Sequence, residues 1–479
     1  MDTPNIDPAS RPTPTKRRAS LSRRQALRLG VAALAAGAAA PLLTRSAAAA
    51  PTVEQPLAER TWVGQGPARV QQTGSAVNVT YWGSFTATNG DAEQAMVQRF
   101  NESQSDVVVE YQFQGSYEDT AQKLTAALQA RQAPDVSLLS DVWWFKFYLS
   151  KTLLPLDDLM AKYSVDSTDY VDSLINEGVR AGKTVWLPFA RSTPIFYYNK
   201  QAWADAGLPD RGPETWDEFM TWVPSLVQKD ASGNVSRYAF AHPGAASYIA
   251  WLFQGVIWQW GGSYSDPDFT IRIAEDPANQ AGEFYRMSTT EGWASTPANP
   301  DPDFRGGVAT AMMGSTAGLA GHEANATFPV GTAYLPQGPA GFGCCTGGSG
   351  MSVINVPGAS AEKQEAGFKF ISFATSPEQT AIWSQSTGYM PVRKSAIEGP
   401  MQEFYATRPN FLTTVNQLPY TKPQDAARVF IPNGDQIIGK GLERITIAKE
   451  DPAAVWPEIK ATLEKESQSV LRQLKAIEG

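Results

Sequence analysis

Three short stretches set aromatic rings beside hydroxyl and carboxylate groups: Trp82 with Ser84, Ser116 with Tyr117, and Ser140 through Trp144, which includes Asp141. A ring offers its face to C–H groups, a carboxylate accepts two hydroxyl protons, and Ser and Tyr hydroxyls donate or accept. Such a set suits reversible binding of a small hydroxylated molecule. Trp143 and Trp144 are neighbours on one element and point different ways, so at most one faces a ligand; Trp144 is taken as that one. Asp141 has an alternative duty as the cap of a following helix. The chain's 14 Trp and 16 Tyr exceed what a plain core requires, and some can line a cleft.

Other chemistries find little support. His242 and His322 are the only histidines, which leaves no His-rich metal site and just two possible bases for a Ser/His/Asp triad. The only cysteines, Cys344 and Cys345, are adjacent, so they form no C-x-x-C motif and no long-range staple. They are either a vicinal disulfide or two buried thiols. The glycine clusters Gly341–Gly343 and Gly347–Gly350 lack the Lys-Ser/Thr of a phosphate-cradling loop. No metal and no cofactor is expected. With 40 Lys+Arg against 48 Asp+Glu and a net charge of -8, there is no basic stripe for a phosphate backbone, and nucleic acid is not an expected partner.

The elements that position these residues alternate. A strand is predicted at 77–82, a helix carries Ala92, Met96 and Phe100 at i, i+4, i+8, and strands follow at 107–113 and 136–139 around a helix with Leu124 and Leu128. This order predicts an α/β fold with a largely parallel sheet, whose ligands sit beyond the C-terminal strand ends. That rim is where the three stretches fall. A strand pair is expected at 184–188 and 195–199, bracketing Phe189–Pro194. Thr215 and Glu218 have capping-box spacing for a helix start, and Tyr248–Trp260 reads as an aromatic helix.

Residues 1–50 read as an export signal. Arg23-Arg24 precede an Ala-rich apolar run from Leu29 to Leu43 and small residues at Ala47–Ala50, which is the twin-arginine pattern. The run is too short and alanine-rich for a membrane span. No cysteine follows it, so an exported, periplasmic or extracellular protein without a lipid anchor of its own is expected. Residues 51–76 read as a flexible leader.

The phrase Thr193-Pro194-Ile195-Phe196-Tyr197-Tyr198-Asn199-Lys200, then Ala206-Gly207-Leu208 and Pro213-Glu214-Thr215-Trp216-Asp217-Glu218, resembles the family 1 extracellular solute-binding proteins of ABC importers. Supporting stretches are Gln132–Val136, Ser376-Pro377-Glu378 and Thr387–Pro391, and the likeness spans about residues 77–475. The glycerol-3-phosphate-binding branch is the most similar. The resemblance implies a two-lobed, type II periplasmic-binding-protein-like fold with the ligand cleft between the lobes. Lobe 1 would comprise 77–189 plus 347–386, and lobe 2 190–346 plus 387–479, closing by hinge rotation. The expected partners are a small polar ligand and the permease subunits of an importer, with the binding protein itself a monomer.

Carried over by position, the resemblance assigns ligand contacts to Tyr117, Asp141, Ser192, Tyr248, Trp251, Ser315, Gly348 and Tyr389, with Thr316 replacing Ser315 if the register slips by one. The family's phosphate-binding arginine falls in Arg428–Gln436 at an acid or glycine, and Arg428 substitutes only if that loop is rearranged. Loss of a bidentate guanidinium favours neutral sugars or polyols over glycerol phosphate or a glycerophosphodiester. A glycosidase would need two carboxylates across the sugar. The resemblance supplies one pocket acid, Asp141, so binding without catalysis is expected.

Overall fold

The computed structural model describes residues 76–478. The expected export signal and nearly all of the expected leader lie outside the described residues. The first strand, β1 (Val77–Gly83), is followed by helix α1 (Ala87–Ser103), strand β2 (Val107–Phe113), helix α2 (Tyr117–Ala130) and strand β3 (Val136–Ser140). Met96 and Phe100 lie buried on one face of α1, as their spacing requires. Helix α2 begins at a full capping box, in which Ser116 takes the Asp119 backbone N–H and the Asp119 carboxylate returns to the Ser116 N–H.

Two five-stranded sheets organise the chain. In the first, β2, β1 and β3 are joined in parallel, Val77 opposite Val107 and Tyr81 opposite Val136. The strand Gly347–Val353 then pairs antiparallel with β3, and Leu187–Ser192 pairs antiparallel with it in turn. The sheet is therefore mixed rather than largely parallel. Gly347–Val353 arrives from the other sheet and not through a helical crossover, so nothing obliges it to run parallel. The second sheet orders Ala294–Ser295, Phe240–Ala241, Ala311–Ser315, Pro194–Asn199 and Val330–Ala333.

The expected strand pair at 184–188 and 195–199 is a further correction, since the two strands lie in different sheets. Phe189–Ser192 continue in the first sheet, and after Thr193 alone the chain enters the second at Pro194. Pro194 is tolerated because a strand's first residue need not donate to a ladder. Thr215 accepts the Glu218 N–H at 3.0 Å and starts the helix Trp216–Leu226, but the Glu218 carboxylate returns to Glu214 N–H at 2.6 Å, one residue early.

Helices Ala361–Ala374 and Pro377–Thr387 pack beside the first sheet and α1. Gly434–Thr446 and the long Pro452–Glu478 pack against Ala246–Gln259 and Asp276–Thr290 by the second. Among the described residues, no helix is long and apolar enough to cross a membrane.

Candidate functional site

Four consecutive residues, Thr346 to Ser349, meet most of the predicted ligand contacts. Trp251 donates its indole N–H to the Thr346 carbonyl at 3.0 Å. Gly347 lies directly against that indole, where an added Cβ would come within 2.4 Å of Nε1, and it is the register partner of Ser192. The Gly348 carbonyl accepts the backbone N–H of Asp141 at 3.0 Å. Ser349 Oγ accepts the Tyr117 hydroxyl at 3.2 Å. The glycines are required here: Gly348 has φ +105°, and any Cβ on it would sit 2.1 Å from the Ala190 carbonyl oxygen.

The remaining contacts attach to these. Tyr389 follows Gly388, stacks on Trp383 at 5.6 Å, and brings its hydroxyl to 3.3 Å from that of Tyr117. Tyr248, in the first turn of Ala246–Gln259, stacks on Trp251 at 5.8 Å, and its hydroxyl accepts the Ser315 backbone N–H at 2.8 Å. Ser315 ends its strand and turns its own hydroxyl to the Ala317 N–H, while Thr316 is fully buried. Ser192 is buried at the end of the strand that leads into the second sheet. Asp141 does not cap the next helix; Trp143 occupies that position, and the Asp141 carboxylate accepts instead from the Gln424 side-chain amide.

Trp144 is not brought to this group. It is 1% exposed, stacks on Trp186 at 6.0 Å and meets Phe145 and Phe430 edge-on, all within the core. The turn into Trp144–Leu149 leaves its neighbour Trp143 half-buried, with the Lys146 ammonium 5.7 Å from its ring. The two adjacent rings diverge as expected, but it is Trp144 that turns into the core and Trp143 that turns outward.

Residues 95–413 match the family of bacterial extracellular solute-binding proteins. The chain belongs to that family. Among solved structures it is similar to UgpB of Mycobacterium tuberculosis in complex with glycerophosphocholine, 40% identical with a TM-score of 0.76, covering 84% of this chain and 99% of that one. It is also similar to the cyclic alpha-maltosyl-1,6-maltose binding protein of Arthrobacter globiformis, 25% identical with a TM-score of 0.67, over 81% and 100% of the two chains. A curated relative, the sn-glycerol-3-phosphate-binding periplasmic protein UgpB of Yersinia pestis bv. Antiqua, is 26% identical over 79% of this chain and 90% of its own.

In this solute-binding protein, four ionisable groups that the sequence reading did not place together surround the same segment. Gln424, which bonds Asp141, also accepts from the Arg428 guanidinium, so that Arg428 stands one residue removed from the Asp141 carboxylate. A second Arg428 nitrogen donates to the Ser247 carbonyl at 3.2 Å. Glu177 accepts from Arg191 at 2.5 Å and from the Thr346 hydroxyl at 2.6 Å. Burial raises the Glu177 carboxyl, while Arg191 opposes the rise. Burial likewise pushes the Tyr117 hydroxyl up to about 12 and raises that of Tyr389 well above its ordinary value, so both remain proton donors at neutral pH.

Arg191 falls within the bracketed stretch Phe189–Pro194, and its position there gave no sign of its partner. Glu177 sits in a short turn with no pattern around it, and no local signal marked it. The two cysteines are free, buried thiols beneath the site, Cys344 toward the Pro194 carbonyl and Cys345 toward that of Trp251. Burial raises both thiols well above their ordinary range, which makes them inert.

Proposed function

We propose that this protein is exported by the twin-arginine route, acts as a monomer without catalysis, and delivers a hydroxyl-rich ligand without net charge, a carbohydrate or polyol, to an ABC importer. The observation that carries the ligand class is the charge balance around Thr346–Ser349. Asp141 and Glu177 are opposed by Arg191 and Arg428, leaving no excess of positive charge for a phosphate monoester dianion. A dianion would be brought beside two carboxylates in a poorly hydrated setting, where like charges cost most. Tyr117, Tyr389, Ser192 and Asp141 instead supply donors and acceptors for hydroxyls, and Trp251 with Tyr248 supplies ring faces.

The lobes of this reading are 77–189 plus 347–386 and 190–346 plus 387–479, with closure about the crossing at Thr193 and the segments near 346 and 388. Closure converts ligand binding into a population shift that the permease can read. The Asp141–Gln424 contact joins residues assigned to opposite lobes and supports a cleft between them.

A second reading is favoured by Arg428. Its guanidinium bonds Gln424, which in turn bonds Asp141, and the 40% identical relative is complexed with glycerophosphocholine. A zwitterionic glycerophosphodiester is also neutral overall and would place its phosphate near Arg428. Calorimetric titration of the mature protein with maltose, ribitol, glycerophosphocholine and glycerol 3-phosphate tests both. Binding of a neutral sugar or polyol supports the first reading, and binding of glycerophosphocholine alone the second. Binding of glycerol 3-phosphate alone overturns the charge-balance argument.

A further inference from the structure

Glu177 touches none of the predicted ligand contacts, yet it is joined to both sides of the site. Its Oε2 takes Nη2 of Arg191 at 2.5 Å, with the two side chains 0% and 10% exposed. Its Oε1 takes the Thr346 hydroxyl at 2.6 Å. Arg191 immediately precedes Ser192, is the register partner of Gly348, and accepts the Met390 backbone N–H on its own carbonyl at 2.8 Å. Thr346, on the other side, holds the Trp251 indole on its carbonyl at 3.0 Å, and Trp251 supports Tyr248 and through it Ser315.

An ion pair this deep gains little stability, because desolvation offsets most of the attraction. Two further guanidinium nitrogens of Arg191, Nε and Nη1, are buried without a partner, which adds to the cost. A costly polar contact that ties the Arg191 strand to the residue entering Gly347–Val353 is best explained by the geometry it enforces.

We infer that Glu177 is a positioning residue of the binding site. Through Arg191 and Thr346 it fixes the spacing between the Ser192–Gly348 wall and the Trp251–Tyr248 wall, and thereby the fit of the ligand between them. The inference rests on the binding role proposed above and adds a residue that acts on the ligand only through others.

The test uses Glu177→Gln, which keeps size and one acceptor, and Thr346→Val, which removes only the hydroxyl and leaves the carbonyl that holds Trp251. The first readout needs no ligand: the indole 15N–1H resonance of Trp251, assigned with Trp251→Phe. Both variants are expected to displace or broaden it, while the indoles of Trp203 and Trp456, bonded to Arg211 and Ala278, keep their positions. The second readout is affinity for maltose and glycerophosphocholine, expected to fall about tenfold for whichever probe the wild type binds. An unmoved Trp251 resonance in both variants overturns the inference, as does a moved resonance with unchanged affinity. Should the wild type bind neither probe, the ligand reading falls, and the resonance alone decides the link from Glu177 to Trp251. Thr346→Val keeps the test open if the buried charge left by Glu177→Gln prevents folding.

Discussion

Replacing Glu93 by Gln should change how stability depends on pH, in a direction and by an amount that the structure sets. Glu93 lies on α1 and is fully buried; it accepts the Tyr81 hydroxyl at 2.6 Å, the Tyr111 hydroxyl at 2.8 Å and the Phe85 N–H at 3.4 Å. Burial raises its carboxyl to about 7 from an ordinary 4.5, with the two tyrosines and the backbone pulling the other way. Between those values the folded protein keeps a proton that the unfolded chain has released. The stabilisation is therefore full below about pH 4.5 and is lost as pH rises toward 7. At 1.36 kcal/mol per pH unit this amounts to about 3 kcal/mol.

Glutamine is neutral throughout and can still accept from one tyrosine and donate to the other. Urea denaturation at pH 4.5, 6 and 7.5 should show the variant gaining about 3 kcal/mol on the wild type across the series. Subtracting the two proteins removes the other titrating groups. Both histidines are among these: burial lowers His242 to about 3, and burial with Arg305 lowers His322 to about 3, so each costs stability only below its unfolded value. A gap that stays constant to within about 0.5 kcal/mol would refute the assignment. The result also bears on the site, because Glu93 anchors the turn that places Phe85 against Tyr117 and Tyr389 at 5.8 and 5.6 Å.

Asp141→Asn should weaken binding of a hydroxylated probe roughly ten- to a hundredfold by calorimetry, the range for a charge-assisted hydrogen bond, with little change in melting temperature. Arg428→Met should remove glycerophosphocholine binding while leaving maltose affinity within about threefold; equal losses for both would place Arg428 in a purely structural role. Trp144→Ala should lower stability by about 3–5 kcal/mol in urea denaturation without removing the ligand response of the folded protein. Gly347→Ala, whose Cβ would fall 2.4 Å from the Trp251 indole nitrogen, should weaken whichever probe the wild type binds.

The parts of this molecule that the sequence revealed are those decided by local rules. Periodicity located β1, α1, β2, α2 and β3 because one face of each must be apolar and that face repeats at 3.6 or 2 residues. The Thr215 helix start was legible because a cap is a contact between residues three apart. The path of the sheet beyond β3 was not. Whether Gly347–Val353 runs parallel depends on where the chain has been between residues 193 and 346, and no window of neighbouring residues contains that.

The site divides along the same line. Tyr117 and Asp141 were placed by the rule that strand ends form the rim, and Trp144 was misplaced because alternation says that two adjacent rings diverge without saying which turns inward. Ser192, Tyr248, Trp251, Ser315, Gly348 and Tyr389 were reached through resemblance, which transmits what related chains share. Glu177, Arg191 and Gln424 were missed by both routes. Their partners lie 169 residues away for Glu177–Thr346 and 283 for Gln424–Asp141, and neither Glu, Arg nor Gln carries a pattern that distinguishes a buried network from a solvated surface. Glu177 and Arg191 contribute to the charge around Thr346–Ser349, and Gln424 joins the other pair, Asp141 and Arg428. Resemblance to a glycerol-3-phosphate-binding branch therefore gives the shape of the cleft more securely than its occupant. Two acids opposed by two guanidinium groups argue for a neutral ligand, whichever of the two neutral classes proves to be the one carried.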